Sequence, residues 1–372
     1  MEFNELTYAC ALNRVLCGKG RAGVRIAEQF DYPSQIFNCS ESKMREVFGN
    51  NEKYISALNN KKMLQECAAE VEWNLANGIT MTYYNDRTYP KRLKECPDAP
   101  ILLFSKGKEI LQSQRMIAVV GTRKPTPYGL NICSEIIRGL SHLSPKPIIV
   151  SGLAYGIDIC AHKCALEYGC DTIAVLGTSL EHIYPQSHYN YSKRIEQSGL
   201  LVSEYNRGTL TKPHHFLQRN RIIAGLCEAT LLIESRIQGG GMVTASIANS
   251  YSREVYAVPG RADDISSQGC NTLIGHNIAK LITCSEEICQ DLGWNVKITG
   301  KGKKSKIENL LSRYDGIKRN IILTLTADLY LDLPSLIDRC NEEPSKILSA
   351  VTELEMEQII EIDIYGYYHI CL

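Results

Sequence analysis

The stretch MIAVVGTRKPTPYG, residues 116 to 129, decides the fold of this chain. Its five leading apolar residues form a continuous run, which predicts a strand covered on both faces, as in a parallel sheet. Gly121 then allows a tight turn, and a helical pattern follows. The stretch therefore predicts one unit of strand, turn and helix.

The same unit repeats along the middle of the chain. Further apolar runs, each followed by Gly, Ser or Pro and a helical pattern, are PIIV (147–150), DTIAVL (171–176), LLVSE (200–204), ATLLIE (229–234) and EVYAV (254–258). Alternating strands and helices of this kind predict an α/β fold with a Rossmann-like, doubly wound parallel sheet over residues 116–292.

The first 115 residues have a different pattern of apolar positions. Apolar positions spaced three and four apart in LTYACALNRVL and MLQECAAEVEWNLA predict an N-terminal helical domain over residues 1–85. Between these helices, glycines 18, 20 and 23 fit either a helix-hairpin-helix (SAM-like) turn that offers amides to phosphate, or a plain interhelical turn. Residues 86–115 read as a linker that ends on a short strand, ILLF.

A small C-terminal domain follows a basic segment. Residues 293–306 include NVKITGKGKKSK, with five lysines and no acid, which predicts a flexible linker. Three helical patterns and a glycine-turned hairpin over 307–372 predict a winged helix. Its predicted third helix carries three acidic residues, Glu353, Glu355 and Glu357, and a single basic one, Lys346. This charge favours contact with protein, or packing within the domain, over binding of duplex DNA.

The composition limits the possible functions. The 372 residues carry no net charge, so any anion-binding surface must be local. The fifteen cysteines are scattered without metal-ligand spacing, which predicts buried thiols in a reducing compartment and no metal site. No signal-peptide layout and no apolar run of about 18 residues occur. We expect a cytoplasmic protein with no membrane contact.

Three strand-to-helix turns carry residues suited to phosphate. Ligands of open parallel sheets bind at the carboxyl ends of the strands, and glycine turns before helices expose amides there. The candidates are Gly121, Thr122 and Arg123 after the first strand, Ser151, Gly152 and Gly156 after the second, and Gly239, Gly240, Gly241 and Thr244 after the fifth. The alternative for each glycine is close packing of helix on strand.

A second set of candidates is the triplet Arg219, Asn220 and Arg221. It stands directly before an apolar run, and we expect it at or near a helix N-terminus, where unpaired cations are unfavourable. A bound phosphate would reverse that penalty. The alternative is a salt bridge with Glu204 or Glu234.

Other signatures are missing from the sequence. There is no GxxxxGK[ST] loop and no GxGxxG after the first strand, so we expect no nucleotide cofactor. Several phosphate cradles on one sheet edge, without catalytic residues, fit a single-stranded nucleic acid. Loop aromatics that could stack on its bases are Tyr128, Tyr155, Tyr184 and Phe216.

On these residues the chain resembles the DNA-processing protein A (DprA/Smf) family. The matching stretches are YPKRL (89–93), VVGTRKPTPYG (119–129), SGLAYGIDICAH (151–162), IAVLGTSLEHIYP (173–185), RNRIIAGL (219–226), MVTASIA (242–248), VPGR (258–261) and SQGCNTLI (267–274). The helical N-terminal part and the winged-helix tail also match the family's architecture.

The resemblance implies a single-stranded DNA-binding protein that protects incoming DNA and loads the RecA recombinase during natural transformation. It further implies a homodimer formed through the sheet domain, and DNA contacts by Arg123 and the Arg219–Arg221 triplet. Two departures are visible: Gly239-Gly240-Gly241 stands where relatives have Ser-Gly-Ser, and Gln186 stands where relatives often have lysine. Lys193 and Arg194, which follow one or two turns later, are candidates to replace that charge.

The rival hypothesis is an enzyme that cleaves nucleoside monophosphates to a base and ribose phosphate. Related sheets with a triple-glycine turn place a carboxylate shortly after the glycines to stabilise an oxocarbenium-like centre. Here the positions after Gly241 read MVTASIANS, and the next acid is Glu254. We therefore predict a binding protein rather than a phosphoribohydrolase-like enzyme.

Overall fold

A computed structural model describes residues 1–49, 51–294, 310–327, 331–357, 359–362 and 366–370. The chain divides into two compact units, residues 1–296 and 297–372. Among the helices in these ranges, none is long and apolar enough to cross a membrane.

The first unit is built on one sheet, which has nine strands in the described ranges. They are β1 (Thr80–Tyr83), β2 (Leu102–Gly107), β3 (Met116–Gly121), β4 (Ile148–Ser151), β5 (Thr172–Val175), β6 (Leu200–Ser203), β7 (Ala229–Ile233), β8 (Glu254–Ala257) and β9 (Lys280–Leu281), in the order β1-β2-β6-β5-β4-β3-β7-β8-β9. Strands β3 to β9 are parallel, whereas β2 pairs antiparallel with β6 and with β1. The six predicted strands and the predicted parallel α/β sheet are confirmed.

Fourteen described helices accompany the sheet. They are α1 (Phe3–Leu16), α2 (Gly20–Ala27), α3 (Pro33–Asn38), α4 (Glu41–Phe48), α5 (Glu52–Leu58), α6 (Lys61–Ala76), α7 (Lys91–Lys94), α8 (Pro127–Leu140), α9 (Ile157–Glu167), α10 (Tyr189–Ser198), α11 (Pro213–Leu226), α12 (Gly240–Ser250), α13 (Gln268–Gly275) and α14 (Ser285–Asp291).

Both faces of the sheet are buried, as the continuous apolar runs require. Along β3, Ala118 and Val120 pack into one core, whereas Ile117 and Val119 pack into another on the opposite face. Successive side chains of a strand point to opposite faces, so a strand with two buried faces needs apolar residues at every position.

The strand order reverses beside β3. From β3 the chain runs through β4, β5 and β6 in one direction, then returns through α11 to β7 on the other side of β3. The carboxyl ends of β3 and β7 therefore lie next to each other at a topological switch point, which is where open α/β sheets form ligand crevices.

The N-terminal helices pack on the segment that precedes the sheet's parallel part. A Cβ at Gly20 would overlap the carbonyl oxygen of Asp98, and one at Gly23 would lie 2.7 Å from Cγ2 of Ile101. Both glycines lie within α2 and permit its close approach to this segment, so of the three predicted turn glycines only Gly18 stands between α1 and α2. The segment 86–115 contains α7 and the strand β2, so its predicted short strand is present.

The second unit contains three helices and a small antiparallel sheet in its described ranges. The helices are α15 (Gly316–Ala327), α16 (Leu333–Cys340) and α17 (Pro344–Met356), and the strands are β10 (Leu331–Asp332), β11 (Ile360–Ile362) and β12 (Tyr367–Ile370), in the order β10-β12-β11. Glu353 of α17 and Glu357, which follows its last residue, both pair with Lys318 of α15, so two of the three acids predicted for this helix form ion pairs within the unit. The predicted basic segment at 295–306 lies outside the described residues.

Candidate nucleic-acid interface

A cleft of ≈ 530 Å³ lies at the switch point, beyond the carboxyl ends of β3 and β7. It brings together nine of the fifteen predicted site residues: Gly121, Thr122, Arg123, Arg219, Asn220, Gly239, Gly240, Gly241 and Thr244. It is also lined by residues that the sequence reading did not select as ligands, among them Asp158, Arg236 and Gln238. Most of the predicted phosphate-binding residues therefore lie on one continuous surface.

The two turns of the cleft are joined by Glu234. The amide of Thr122 donates to the Glu234 carbonyl at 2.8 Å, and the Thr126 amide donates to its carboxylate at 2.8 Å. The Thr126 hydroxyl donates to the same carboxylate. Glu234 is buried and adopts φ +50°, a strained value for a residue with a side chain. Its carboxylate braces the β3–α8 turn, so the alternative of a salt bridge to the arginine triplet is wrong for Glu234.

The third predicted turn presents the N-terminus of α12 to the cleft. Gly239 caps the helix without a side-chain hydrogen bond, and the amides of Gly240 and Gly241 have no acceptor among the described residues. Unpaired amides at a helix N-terminus favour an anion, because the helix dipole adds to their partial charge. Gly241 also permits close packing, since its Cβ would lie 2.5 Å from Cδ1 of Leu232.

Two exposed guanidinium groups line the cleft without an acidic partner. Arg123 follows Gly121 and Arg236 follows β7, and neither side chain makes a hydrogen bond or ion pair among the described residues. Arg236 was missed in the sequence reading, although it stands in the same loop as the three glycines. An unpaired arginine beside free amides is suited to phosphate, because its planar fork matches two oxygens.

Arg219 supplies a third guanidinium, but from a buried position. Its Nη1 donates to the carbonyl of Gly152 at 2.6 Å and to that of Val175, and its Nε donates to Asn220 Oδ1 at 3.2 Å. Burial lowers the pKa of Arg219, and the nearby Asp158 carboxylate opposes this shift. Its Nη2 has no hydrogen-bond partner among the described residues, so this nitrogen remains available to a ligand in the cleft.

The position of the arginine triplet differs from the prediction. Helix α11 begins at Pro213, so the triplet lies in the middle of the helix and not at its N-terminus. Arg221 is buried and forms an ion pair with Glu204, and its Nη1 donates to the Asp98 carbonyl at 2.5 Å. Burial lowers the pKa of Arg221, but the Glu204 charge opposes it together with smaller effects of Asp98, Tyr251 and Tyr89, and the net shift is upward. The salt-bridge alternative holds for Arg221, which does not line the cleft.

Three further predicted residues support the cleft from behind. The Ser151 hydroxyl is buried and donates to the Val119 carbonyl at 2.7 Å, and the Gly152 amide donates to Asp158 at 3.1 Å. Burial raises the pKa of Asp158, and Arg219 and neighbouring hydrogen bonds oppose the shift. Gly156 adopts φ +81° and lies against Thr122. These residues hold the turns in place and offer no free donor to the cleft.

The remaining two candidates lie outside the cleft. Lys193 and Arg194 are on α10, where Lys193 pairs with Glu196 at 2.9 Å and Arg194 lies over the ring of Tyr191. Their role as DNA ligands stays a prediction.

Aromatic side chains border the cleft at one end. Phe216 lines it, and the half-exposed ring of Tyr184 lies with its centroid 5.2 Å from that of Phe216. Tyr155 is likewise half exposed and packs edge-on against His188. The Tyr128 side chain is held by a hydrogen bond, which its hydroxyl donates to the Pro259 carbonyl at 2.8 Å. Phe216 is therefore the aromatic placed to meet a base inside the cleft.

One group of possible metal ligands lies away from the cleft. Cys10, Cys67 and Glu70 have donor atoms within 4.8 Å of one another and are buried. The Glu70 carboxylate already accepts from Arg14 at 2.8 Å and from the Arg207 amide at 2.8 Å. Because a guanidinium occupies the carboxylate, we assign no metal to this group.

Two glycines of the cleft turns, Gly156 and Gly240, are expected to differ in how well the fold tolerates a side chain. Gly156→Ala should destabilise the fold by about 2 kcal/mol or more, because it forces a side chain into left-handed backbone and against the Thr122 carbonyl. Gly240→Ala has no atom within 4 Å of the added Cβ, so its effect should stay within about 0.5 kcal/mol. Denaturant unfolding measures both, and equal effects would contradict this assignment.

The fold and the cleft together define a class: a Rossmann-like α/β protein that presents main-chain amides and unpaired guanidinium groups at the switch point of its sheet. Within that class, the chain belongs to the DNA recombination-mediator protein A family, whose model matches residues 80–293. The predicted resemblance to DprA/Smf proteins is thus confirmed.

Individual relatives agree with this placement. The chain is 40% identical to the DNA processing protein DprA of Streptococcus pneumoniae over 203 residues, covering 55% of this chain and 71% of that one. It is 31% identical to the protein Smf of Synechocystis over 346 residues, covering 91% and 86% respectively.

Two solved structures also resemble the fold. The X-ray structure of Streptococcus pneumoniae DprA superposes with a TM-score of 0.63 at 30% identity, covering 76% of this chain and 97% of that one. The Helicobacter pylori DprA structure, solved for its single-stranded DNA binding mode, gives a TM-score of 0.52 at 29% identity, covering 57% and 95%.

Proposed function

We propose that this protein binds single-stranded DNA in the cleft and acts as a mediator of recombination. One observation carries the proposal. The guanidinium groups of Arg123 and Arg236, which have no acidic partner among the described residues, line the same cleft as the free amides of Gly240 and Gly241. The chain as a whole has no net charge, so this local concentration of donors selects an anion. The Helicobacter pylori relative, whose structure concerns single-stranded DNA binding, supports the choice of ligand.

The aromatic end of the cleft favours an unpaired strand over a duplex. Phe216 can stack only on a base whose face is free, and duplex DNA buries the faces of its bases. The guanidinium groups and amides would hold phosphates along the same strand. Neither kind of contact reads a particular base edge, so we propose binding with little sequence preference.

In the cell, we propose that the bound strand is incoming DNA, which the protein protects and onto which it loads RecA during natural transformation. The family to which the chain belongs supports this role. We further propose a homodimer formed through the sheet domain, and a cytoplasmic location, which agrees with the free thiols of all described cysteines.

The domain organisation that we propose has five parts. They are a helical domain (1–85) of helix-hairpin-helix or SAM-like type, a connecting segment with a short strand (86–115), the Rossmann-like DNA-binding domain (116–292), a basic linker (293–306) and a winged helix (307–372). The three helices and the small sheet of the second unit support the last assignment.

A competition between single-stranded and duplex oligonucleotides tests the proposal. At about 50 and 200 mM salt we expect the single strand to win, with log K falling against log salt at a slope of about −2 to −3, as for three or four phosphates. Duplex preference, or binding that salt does not weaken, would overturn it. Incubation with nucleoside monophosphates should release no base, since we propose a binding protein and not a phosphoribohydrolase.

A further inference from the structure

A second groove, of ≈ 570 Å³, adjoins the cleft on the side of the N-terminal helices. It lies between α11 and the segment that joins α1 to the start of α2, and Lys19, Arg21, Leu217 and Gln218 line it. Leu217 is half exposed and also lines the cleft. The two concave surfaces are therefore neighbours that meet at one side chain of α11.

The two exposed cations of this groove have no acidic partner among the described residues. Lys19 and Arg21 are exposed, and neither side chain has an acidic partner among the described residues. The buried Arg221 at the floor is neutralised by Glu204. The groove therefore carries two free positive charges that the fold does not use.

The one carboxylate that lines the groove is already engaged. Asp98 accepts a hydrogen bond from the Tyr251 hydroxyl through its carboxylate, and its carbonyl accepts from Arg221. It offsets part of the positive potential but does not reach Lys19 or Arg21 within salt-bridge distance. A polyanion that leaves the cleft across Leu217 would meet these two cations next.

We infer that the groove is a second contact for the same DNA strand, which crosses Leu217 and places phosphates against Lys19 and Arg21. The inference rests on the proposed function, because it extends the strand held by Arg123 and Arg236. It makes the N-terminal helices part of the DNA-binding surface and sets a minimum strand length for full affinity. A flexible single strand can follow such a bend, since its backbone is not held by pairing.

The test compares a short and a long oligothymidylate, of about six and about twenty nucleotides. Lys19→Ala with Arg21→Ala should leave binding of the short strand within about twofold. The same variant should weaken the long strand by about tenfold and make its salt slope less steep by about 1.4, because about 0.7 is lost for each phosphate contact in single strands.

The control removes the same charge elsewhere on the N-terminal helices. Arg25 lies on α2 and Lys53 on α5, both are exposed, and neither lines the groove or the cleft. Arg25→Ala with Lys53→Ala should leave both strands unaffected. Equal losses for the two double variants would show a general field effect and overturn the inference, as would an unchanged salt slope for Lys19 and Arg21. Failure of the unsubstituted protein to bind either strand would instead contradict the proposed function.

Discussion

Replacing Arg123 and Arg236 together by alanine is expected to weaken binding of single-stranded DNA by about a hundredfold or more. Each charge-assisted hydrogen bond to a phosphate contributes about 1.5–3 kcal/mol, and about 1.4 kcal/mol corresponds to a factor of ten in affinity. The two guanidinium groups lie on different turns, after β3 and after β7. We therefore expect each single change to cost at least about tenfold, measured by fluorescence anisotropy.

The fold should tolerate both changes. Neither side chain has a partner among the described residues, and both are exposed, so the stability of the variant should stay within about 0.5 kcal/mol. The Arg25→Ala, Lys53→Ala double variant removes the same net charge outside the cleft. If it weakened binding as much, or if the Arg123, Arg236 variant bound as the unsubstituted protein does, the cleft would not be the DNA site.

The parallel core of the fold could be predicted because burial leaves a strong local signal. Strands β3 to β8 are covered on both faces, so each is a continuous apolar run that stands out from its surroundings. The antiparallel edge could not be predicted in the same way. Strand β2 pairs with β6, about a hundred residues away, and no local pattern shows which distant strand a segment joins.

The candidate site could be predicted where a phosphate-binding residue stands in a turn that follows a strand. Arg123 and the three glycines stand in the turns that follow β3 and β7, so strand prediction alone places them at the carboxyl edge of the sheet. Arg236 has the same signal and could have been selected with them. Lys193 and Arg194 could not be placed, because only the tertiary packing of α10 decides which way that helix faces.

The arginine triplet shows where local reasoning fails. A helix advances about 100° per residue, so Arg219 and Arg221 point to nearly opposite sides of α11. One reaches the cleft and the other reaches Glu204. Placing the helix start at Pro213, a residue favoured at the first helical position, would have moved both arginines to the helix interior and separated their roles.

Arg221→Met is accordingly expected to destabilise the fold by about 3–5 kcal/mol, because it leaves the Glu204 carboxylate buried and unpaired. One carboxylate oxygen of Glu204 already has no hydrogen-bond partner. Without Arg221, the Glu204 charge would therefore lose its charged donor and have no second one in its place. Denaturant unfolding at neutral pH measures the loss. A change below about 1 kcal/mol would contradict the structural role of the ion pair.

Pairing this change with Glu204→Gln separates the structural role of Arg221 from a role in DNA binding. The double variant removes both charges, so much of the stability lost in Arg221→Met should return. It leaves the cleft residues Arg123, Arg219 and Arg236 in place, and its net charge is that of the unsubstituted protein. We expect it to bind single-stranded DNA within about twofold of the unsubstituted protein, whereas a direct phosphate contact by Arg221 would cost at least about tenfold in the same folded variant.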